Sequence, residues 1–229
     1  SFQVSLLIID LNLYHKKALI IGGGVEGRRK VRGLLGQNCY ITVISDCFDA
    51  YLKDLSDSGQ IQTIRAKVED TSILNNYSDS LYLLLACTEN RLLNRKLVEK
   101  GRSLGAFVYS VDDPSYSDFS YASIINIEGV MQVAISTSGR SPIMARQVRM
   151  RAEKMLKSVI RKTDIENTKL QEFARNAAKS RIRSVEGRKR FLYSLISDKH
   201  IQRLLEEDKM EDAKSSTIAL LDKWEDRSR

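Results

Sequence analysis

The sequence predicts an α/β protein: a doubly wound parallel sheet, then a β-hairpin segment, then a purely helical C-terminal part. Three observations carry this. Ala18-Leu19-Ile20-Ile21 runs directly into Gly22, Gly23, Gly24 and Gly27, with Val31, Leu34 and Leu35 following at helical spacing. Short β-branched and aliphatic runs then alternate with helical patterns as far as Pro114. Beyond Pro114, two β-rich runs flank Glu128-Gly129, and after Pro142 no strand-like run recurs.

The first observation reads as strand, tight turn and helix, with Gly22, Gly24 and Gly27 filling the slots of G-x-G-x-x-G. The first glycine of such a turn permits a bend too tight for a Cβ. The second lets backbone approach a pyrophosphate, and the third lets the helix pack on the strand with its free N–H groups toward the anion. Placed between a strand and a helix, the motif predicts a Rossmann-type dinucleotide site. The helix is expected over residues 26–35, with Gly36 as its C-cap.

Residues 40–45 (YITVIS) predict the second strand, and Asp46 follows about twenty residues beyond the glycines, where a carboxylate can accept the adenosine ribose hydroxyls. The alternative is a plain surface loop. No arginine comes immediately after Asp46, which favours NAD over NADP. A helix over 48–58, a short strand over 61–65, a buried strand over 81–86, a helix over 92–104 and a strand over 106–111 complete the α/β rhythm. Ligands of open parallel sheets bind at the carboxyl ends of the strands, which here carry Thr88, Glu89 and Asp112.

The rhythm stops near residue 114. Residues 119–127 and 130–137 predict a hairpin whose Ile and Val content needs covering, most economically by a second subunit. Ser136, Thr137, Ser138, Gly139, Arg140 and Ser141 lead to Pro142, with Ser141 as N-cap and Pro142 as the first residue of a helix through Met155 and Val159. Leu170, Phe173, Ala174 and Ala177, and later Ile201, Leu204 and Leu205, are spaced as on amphipathic helices. The predicted organisation is 1–114 for the dinucleotide domain, 115–162 for the dimerisation segment and 163–229 for the helical domain.

Composition narrows the chemistry. Hydrophobic content is 42% and no apolar run approaches the ~20 residues of a membrane span. Residues 6–9 are apolar but lack the flanks of a signal peptide, so residues 1–10 are expected to form a short strand or hairpin arm. Cys39, Cys47 and Cys87 are odd in number and lack CxxC spacing, against a disulfide framework or zinc site and for a reducing cytoplasm. With two histidines, His15 in a turn and His200 on a helix surface, acid–base work falls to carboxylates, and no metal ligands stand out. Charge is uneven: residues 1–139 hold 14 Lys and Arg against 15 Asp and Glu, and residues 140–229 hold 23 against 14. The basic half suits an anionic ligand, a nucleic acid or simple solubility.

Five stretches occur in an order that resembles one family. They are Ile20-Ile21-Gly22-Gly23-Gly24 with Arg28, Arg29 and Lys30; Ala86-Cys87-Thr88-Glu89-Asn90; Val111-Asp112-Asp113-Pro114; Asp118-Phe119; and Val133–Ser141 into Pro142, Ala145 and Arg146. Together they resemble the precorrin-2 dehydrogenases, the dehydrogenase/ferrochelatase unit of sirohaem biosynthesis, over roughly residues 6–160. The resemblance implies oxidation of precorrin-2 to sirohydrochlorin with NAD⁺, insertion of Fe²⁺ in some members, and a homodimer with a helical part over the tetrapyrrole. It implies Asp112 as the catalytic aspartate and NAD contacts at Val25, Glu26, Asp46 and Cys47. Asp113 is the rival carboxylate to Asp112, and its place before Pro114 assigns it the structural role of starting a turn or capping a helix. Ser136, Thr137, Ser138, Gly139, Arg140, Arg146 and Arg149 are the candidate contacts to the carboxylate-rich substrate; the alternatives are helix capping for residues 136–138 and a solvated helix face for the arginines. Two positions depart from the pattern: Ala122 stands where a proline is usual, and Ser45-Asp46 where Ala/Ser-Pro ends the second strand. A rival reading, a non-catalytic nucleotide-dependent module, would use Arg181, Arg183, Arg188, Lys189 and Arg190 to contact RNA or a partner enzyme, but only Phe191 and Tyr193 supply aromatics there.

Overall fold

A computed structural model describes residues 7–224. The chain forms two compact units, one of residues 7–121 with 138–140 and one of 122–137 with 141–224.

In the first unit, five strands form one parallel sheet: β1 (Lys17–Ile21), β2 (Tyr40–Ser45), β3 (Gln62–Arg65), β4 (Leu81–Ala86) and β5 (Phe107–Ser110). Their order is β3-β2-β1-β4-β5, so the chain reverses its direction of travel across the sheet at β1. The sequence anticipates the central strands because a parallel sheet is covered on both faces, so that β1 and β4 read as nearly continuous apolar runs. Alternation then divides β1: Ala18 and Ile20 join the core that includes Val31 and Leu34 of α1 (Val25–Leu34). Leu19 and Ile21 join the opposite core, with Leu93, Leu97 and Val98 of α3 (Arg91–Ser103).

Helix ends follow local chemistry. The second helix, α2 (Ala50–Asp57), starts two residues inside the expected 48–58 because Asp49 takes the cap, accepting from Leu52 N–H at 2.9 Å. Asn90 caps α3 by accepting from Leu93 N–H. Gly36 follows α1 at φ +81°, as a C-terminal glycine should. A 3₁₀ turn at Ser72–Tyr77, absent from the sequence reading, buries Leu74 against the sheet. The expected N-terminal arm is not a strand over residues 7–10, and residues 1–6 lie outside those described.

In the second unit, β6 (Ser123–Ile127) and β7 (Met131–Ile135) pair antiparallel. Glu128 and Gly129 both have positive φ, the geometry of a primed hairpin turn. The first hairpin strand starts later than residue 119 because Phe119 and Tyr121 stack against Tyr109 of β5 instead of entering the ladder. Ser141 then caps α4 (Pro142–Val159), accepting from Met144 N–H at 3.1 Å. Four further helices follow: α5 (Lys162–Ala178), α6 (Val185–Ser197), α7 (Lys199–Glu206) and α8 (Met210–Asp222). They close around Leu170, Ala174, Phe191, Leu195, Ile201 and Leu205. No described helix is long and apolar enough to cross a membrane.

Candidate dinucleotide and carboxylate site

A cleft of about 680 Å³ opens at the carboxyl ends of β1, β2, β3 and β4. Gly22, Gly23 and Gly24 form its floor, Asp46 and Cys47 one side, and Thr88 and Glu89 another. These are seven of the ten residues expected to meet the cofactor. They converge because β1 sits where the strand order reverses, the position at which loops from neighbouring strands diverge and leave a crevice.

The glycines do different jobs. Gly22 has φ +109°, and a Cβ there would lie 2.4 Å from the Cys87 carbonyl oxygen. At Gly27 a Cβ would lie 1.9 Å from the Gly22 carbonyl oxygen, so this glycine holds α1 against the turn and does not line the cleft. Around Gly24 there is no heavy atom within 4 Å of a Cβ position, and Gly24 is the N-cap residue of α1. Open space beside the unsatisfied amides of a helix start fits a dinucleotide pyrophosphate. Val25 and Glu26 also stand outside the cleft lining: Val25 is exposed and Glu26 is ion-paired with Arg29 at 2.6 Å.

The sequence reading missed the third wall. Ala66, Lys67, Val68 and Glu69, just past β3, line the cleft. Arg65 Nε donates to the Asp46 carbonyl at 3.1 Å, and Lys67 pairs with Glu69 at 2.6 Å. Basic side chains thus flank Asp46 in space although none follows it in sequence. The parallel pairing of β3 with β2 puts them there, and no local sequence signal announces it.

Asp112 does not line the cleft, but one side chain joins it to Thr88. Asn94, fully buried on α3, donates from Nδ2 to Asp112 Oδ1 at 2.7 Å and to the Thr88 carbonyl at 2.9 Å. Its Oδ1 accepts from Thr88 N–H at 3.1 Å and from Thr88 Oγ at 2.7 Å. Ser110, buried at the end of β5, donates to the same Asp112 oxygen at 2.9 Å. Asp113 has the capping role: it accepts from Ser115 N–H and Oγ, and those bonds hold its carboxyl below the usual range. Asn94 was also missed. The signal was an amide among Leu93, Leu97 and Val98 on the buried face of a helix.

Under the turn, Lys30 of α1 is 4% exposed, with Nζ 3.7 Å from the Tyr109 ring centre and 3.8 Å from that of Tyr121. Burial, aided by Arg29, lowers its pKa to about 8. Burial pushes the Cys87 thiol up to about 12, so Cys87 is a neutral wall residue and not a nucleophile.

The expected substrate contacts divide between the units. Ser138, Gly139 and Arg140 group with the first, while Ser136, Thr137, Arg146 and Arg149 belong to the second. Thr137 Oγ exchanges hydrogen bonds with the Ser141 backbone, bracing the start of α4. Arg149 pairs with Glu153 at 2.7 Å and Arg146 is exposed. Of the basic cluster proposed for RNA, Arg181 pairs with Asp222, and Arg188 donates to the carbonyls of Ile182 and Arg183.

Comparison with known proteins agrees with this geometry. Residues 9–123 match the family model described as putative NAD(P)-binding, and residues 128–154 match that of the sirohaem biosynthesis protein central segment. The chain belongs to the putative NAD(P)-binding family. Its cofactor class is therefore a nicotinamide dinucleotide, in keeping with the open floor at Gly24. Siroheme synthase 1 of Aeromonas salmonicida (strain A449) is 35% identical over 150 residues, 66% of this chain and 31% of the relative. The siroheme synthase of Actinobacillus pleuropneumoniae serotype 3 (strain JL03) is 28% identical over 215 residues, 94% of this chain and 42% of the relative. The chain thus spans less than half the length of these curated relatives. A solved structure titled SirC, precorrin-2 dehydrogenase, superposes with a TM-score of 0.65 at 20% identity, covering 93% of this chain and all of that one. That likeness establishes the shared fold.

Proposed function

We propose that this chain oxidises precorrin-2 to sirohydrochlorin, with NAD⁺ as acceptor. One observation carries the reading: a carboxylate, Asp112, is fixed at the end of β5 and bonded through Asn94 to Thr88 on the rim of the dinucleotide cleft. The named activities of the relatives, siroheme synthase and precorrin-2 dehydrogenase, supply the substrate class. A nicotinamide held in the cleft would supply the hydride acceptor. Oxidation of the tetrapyrrole breaks one C–H bond, whose hydrogen leaves as hydride with the electron pair, and releases one proton. Asp112 takes that proton and passes it to solvent.

NAD is the cofactor assigned over NADP. The Asp46 carboxylate is suited to ribose hydroxyls and opposes a 2′-phosphate, while Arg65 and Lys67 are committed to the Asp46 carbonyl and to Glu69. The contacts assigned to the substrate carboxylates are Ser136, Thr137, Ser138, Gly139 and Arg140, with Arg146 and Arg149 on α4. A homodimer is assigned to the face of the second unit where Ile124, Ile143, Met144 and Val148 are exposed. Light scattering at micromolar concentration tests this, and a monomer sinks it.

To test the reaction, the protein is incubated with precorrin-2 and either NAD⁺ or NADP⁺, and sirohydrochlorin is followed by absorbance. Conversion with NAD⁺ is expected, and its absence with competent substrate overturns the reading. Asp112→Ala is expected to lower kcat by about 10²- to 10⁴-fold while the affinity for NAD⁺ stays within a factor of two. Addition of Fe²⁺ to the sirohydrochlorin formed tests for chelation in the same cuvette.

A further inference from the structure

Asn94 is a costly residue to place where it is. It is fully buried on the apolar face of α3, yet all four of its hydrogen-bonding positions are used, two on Thr88 through Oδ1 and one each on Thr88 and Asp112 through Nδ2. Reversing the amide would set its oxygen against the Thr88 carbonyl and the Asp112 carboxylate, so the donor direction is fixed by the network itself. Fully satisfied buried networks of this kind hold one geometry, because any other leaves a buried group unpaired.

Both donors that reach Asp112, Asn94 Nδ2 and Ser110 Oγ, converge on Oδ1. Among the described residues nothing bonds Oδ2. The carboxylate therefore has one oxygen tied down and one available, with the tied oxygen linked through Asn94 to the rim of the cofactor cleft. We infer that Asn94 is a positioning residue that locks Asp112 and Thr88 into one unit, so that Asp112 exchanges its proton through Oδ2 alone.

This rests on the proposed proton-acceptor role of Asp112, but the contact itself is testable without turnover. Between ligand-free wild type and Asp112→Asn, the Asn94 side-chain amide resonance should move, because its charge-assisted acceptor becomes neutral. An unmoved resonance overturns the inference whatever the activity.

Turnover then separates positioning from mere support. Asn94→Asp keeps the shape and the acceptor for Thr88 but loses both donors. A 10- to 100-fold fall in kcat is expected, with the Kd for NAD⁺ within a factor of two. An unchanged kcat with weakened NAD⁺ binding would mean that Asn94 only supports the Thr88 loop, and the inference fails.

Should Asn94→Asp not fold, Ser110→Ala removes the other donor to Oδ1 without touching Thr88. It is expected to lower kcat several-fold at unchanged Kd, and wild-type kcat in that variant overturns the idea. If the wild-type protein fails to convert precorrin-2, the functional reading falls while the amide resonance still decides this one.

Discussion

The glycine turn and the Asp112 network lie at neighbouring strand ends but are built by opposite means. The turn is a matter of backbone volume: Gly22 and Gly27 exist because a Cβ would meet a carbonyl oxygen at 2.4 and 1.9 Å. The network is a matter of side-chain complementarity, in which Asn94 and Ser110 donate to one carboxylate oxygen of Asp112 and Asn94 ties it to Thr88. Steric necessity leaves a rare residue in a fixed spacing. Hydrogen bonding leaves ordinary residues, distant in sequence, whose relation appears only when α3 packs beside β4 and β5.

The harshest way to probe the comparison is Gly27→Ala. Its methyl would overlap the Gly22 carbonyl, so α1 must move away from β1 or the turn must open. A loss on the order of 3 kcal/mol is expected, with dinucleotide binding lost alongside. Urea unfolding and NAD⁺ titration measure the two. Wild-type stability in this variant would mean that the turn is not sterically determined, and the contrast with the Asp112 network would collapse.

The same contrast explains what was legible. The central strands β1 and β4 were readable because burial on both faces writes a nearly continuous apolar run, and Asp49, Asn90 and Ser141 marked helix starts by their own capping chemistry. The glycines named the cofactor site for the steric reason just given. Lys67 and Glu69 were not readable as wall residues, since only the pairing of β3 with β2 brings them to Asp46. Phe119 and Tyr121 looked like strand residues because aromatic and β-branched side chains favour strands, and tertiary stacking on Tyr109 overrode that preference.

Between the two regions lies Lys30, on the helix that starts at the glycines and against Tyr109 on the strand that leads to Asp112. Its pKa of about 8 is below the 10.5 of an ordinary lysine, so between those values the unfolded chain binds more protons and stability rises with pH. Below about pH 8 the folded state bears the full cost of the buried charge. Cys87 works in the other direction: its raised pKa makes stability fall once an ordinary thiol ionises, near pH 9. The clean window is pH 8 to 9, where Lys30 should add about 1 kcal/mol. Lys30→Met is expected to remove that rise, so the difference between the two proteins' unfolding free energies should shrink over the window. A constant difference would show that the rings hold the ammonium charged throughout.

The smallest effect on the fold is expected at Gly24, and it sharpens the account of the turn most. Gly24 has φ −72°, which any residue adopts, and no atom waits near its missing Cβ. Folding alone therefore gives little reason for glycine there: Gly24→Ala should cost only about 0.5–1 kcal/mol, the difference between glycine and alanine at a helix N-cap. Its methyl would instead point into space that the cofactor backbone needs, so the affinity for NAD⁺ should fall about tenfold or more while the unfolding transition barely shifts. Gly27→Ala and Gly24→Ala thus separate the two uses of glycine within one motif. If Gly24→Ala bound NAD⁺ as wild type does, the pyrophosphate would have to lie elsewhere along the cleft, and the open floor beside α1 would need another explanation.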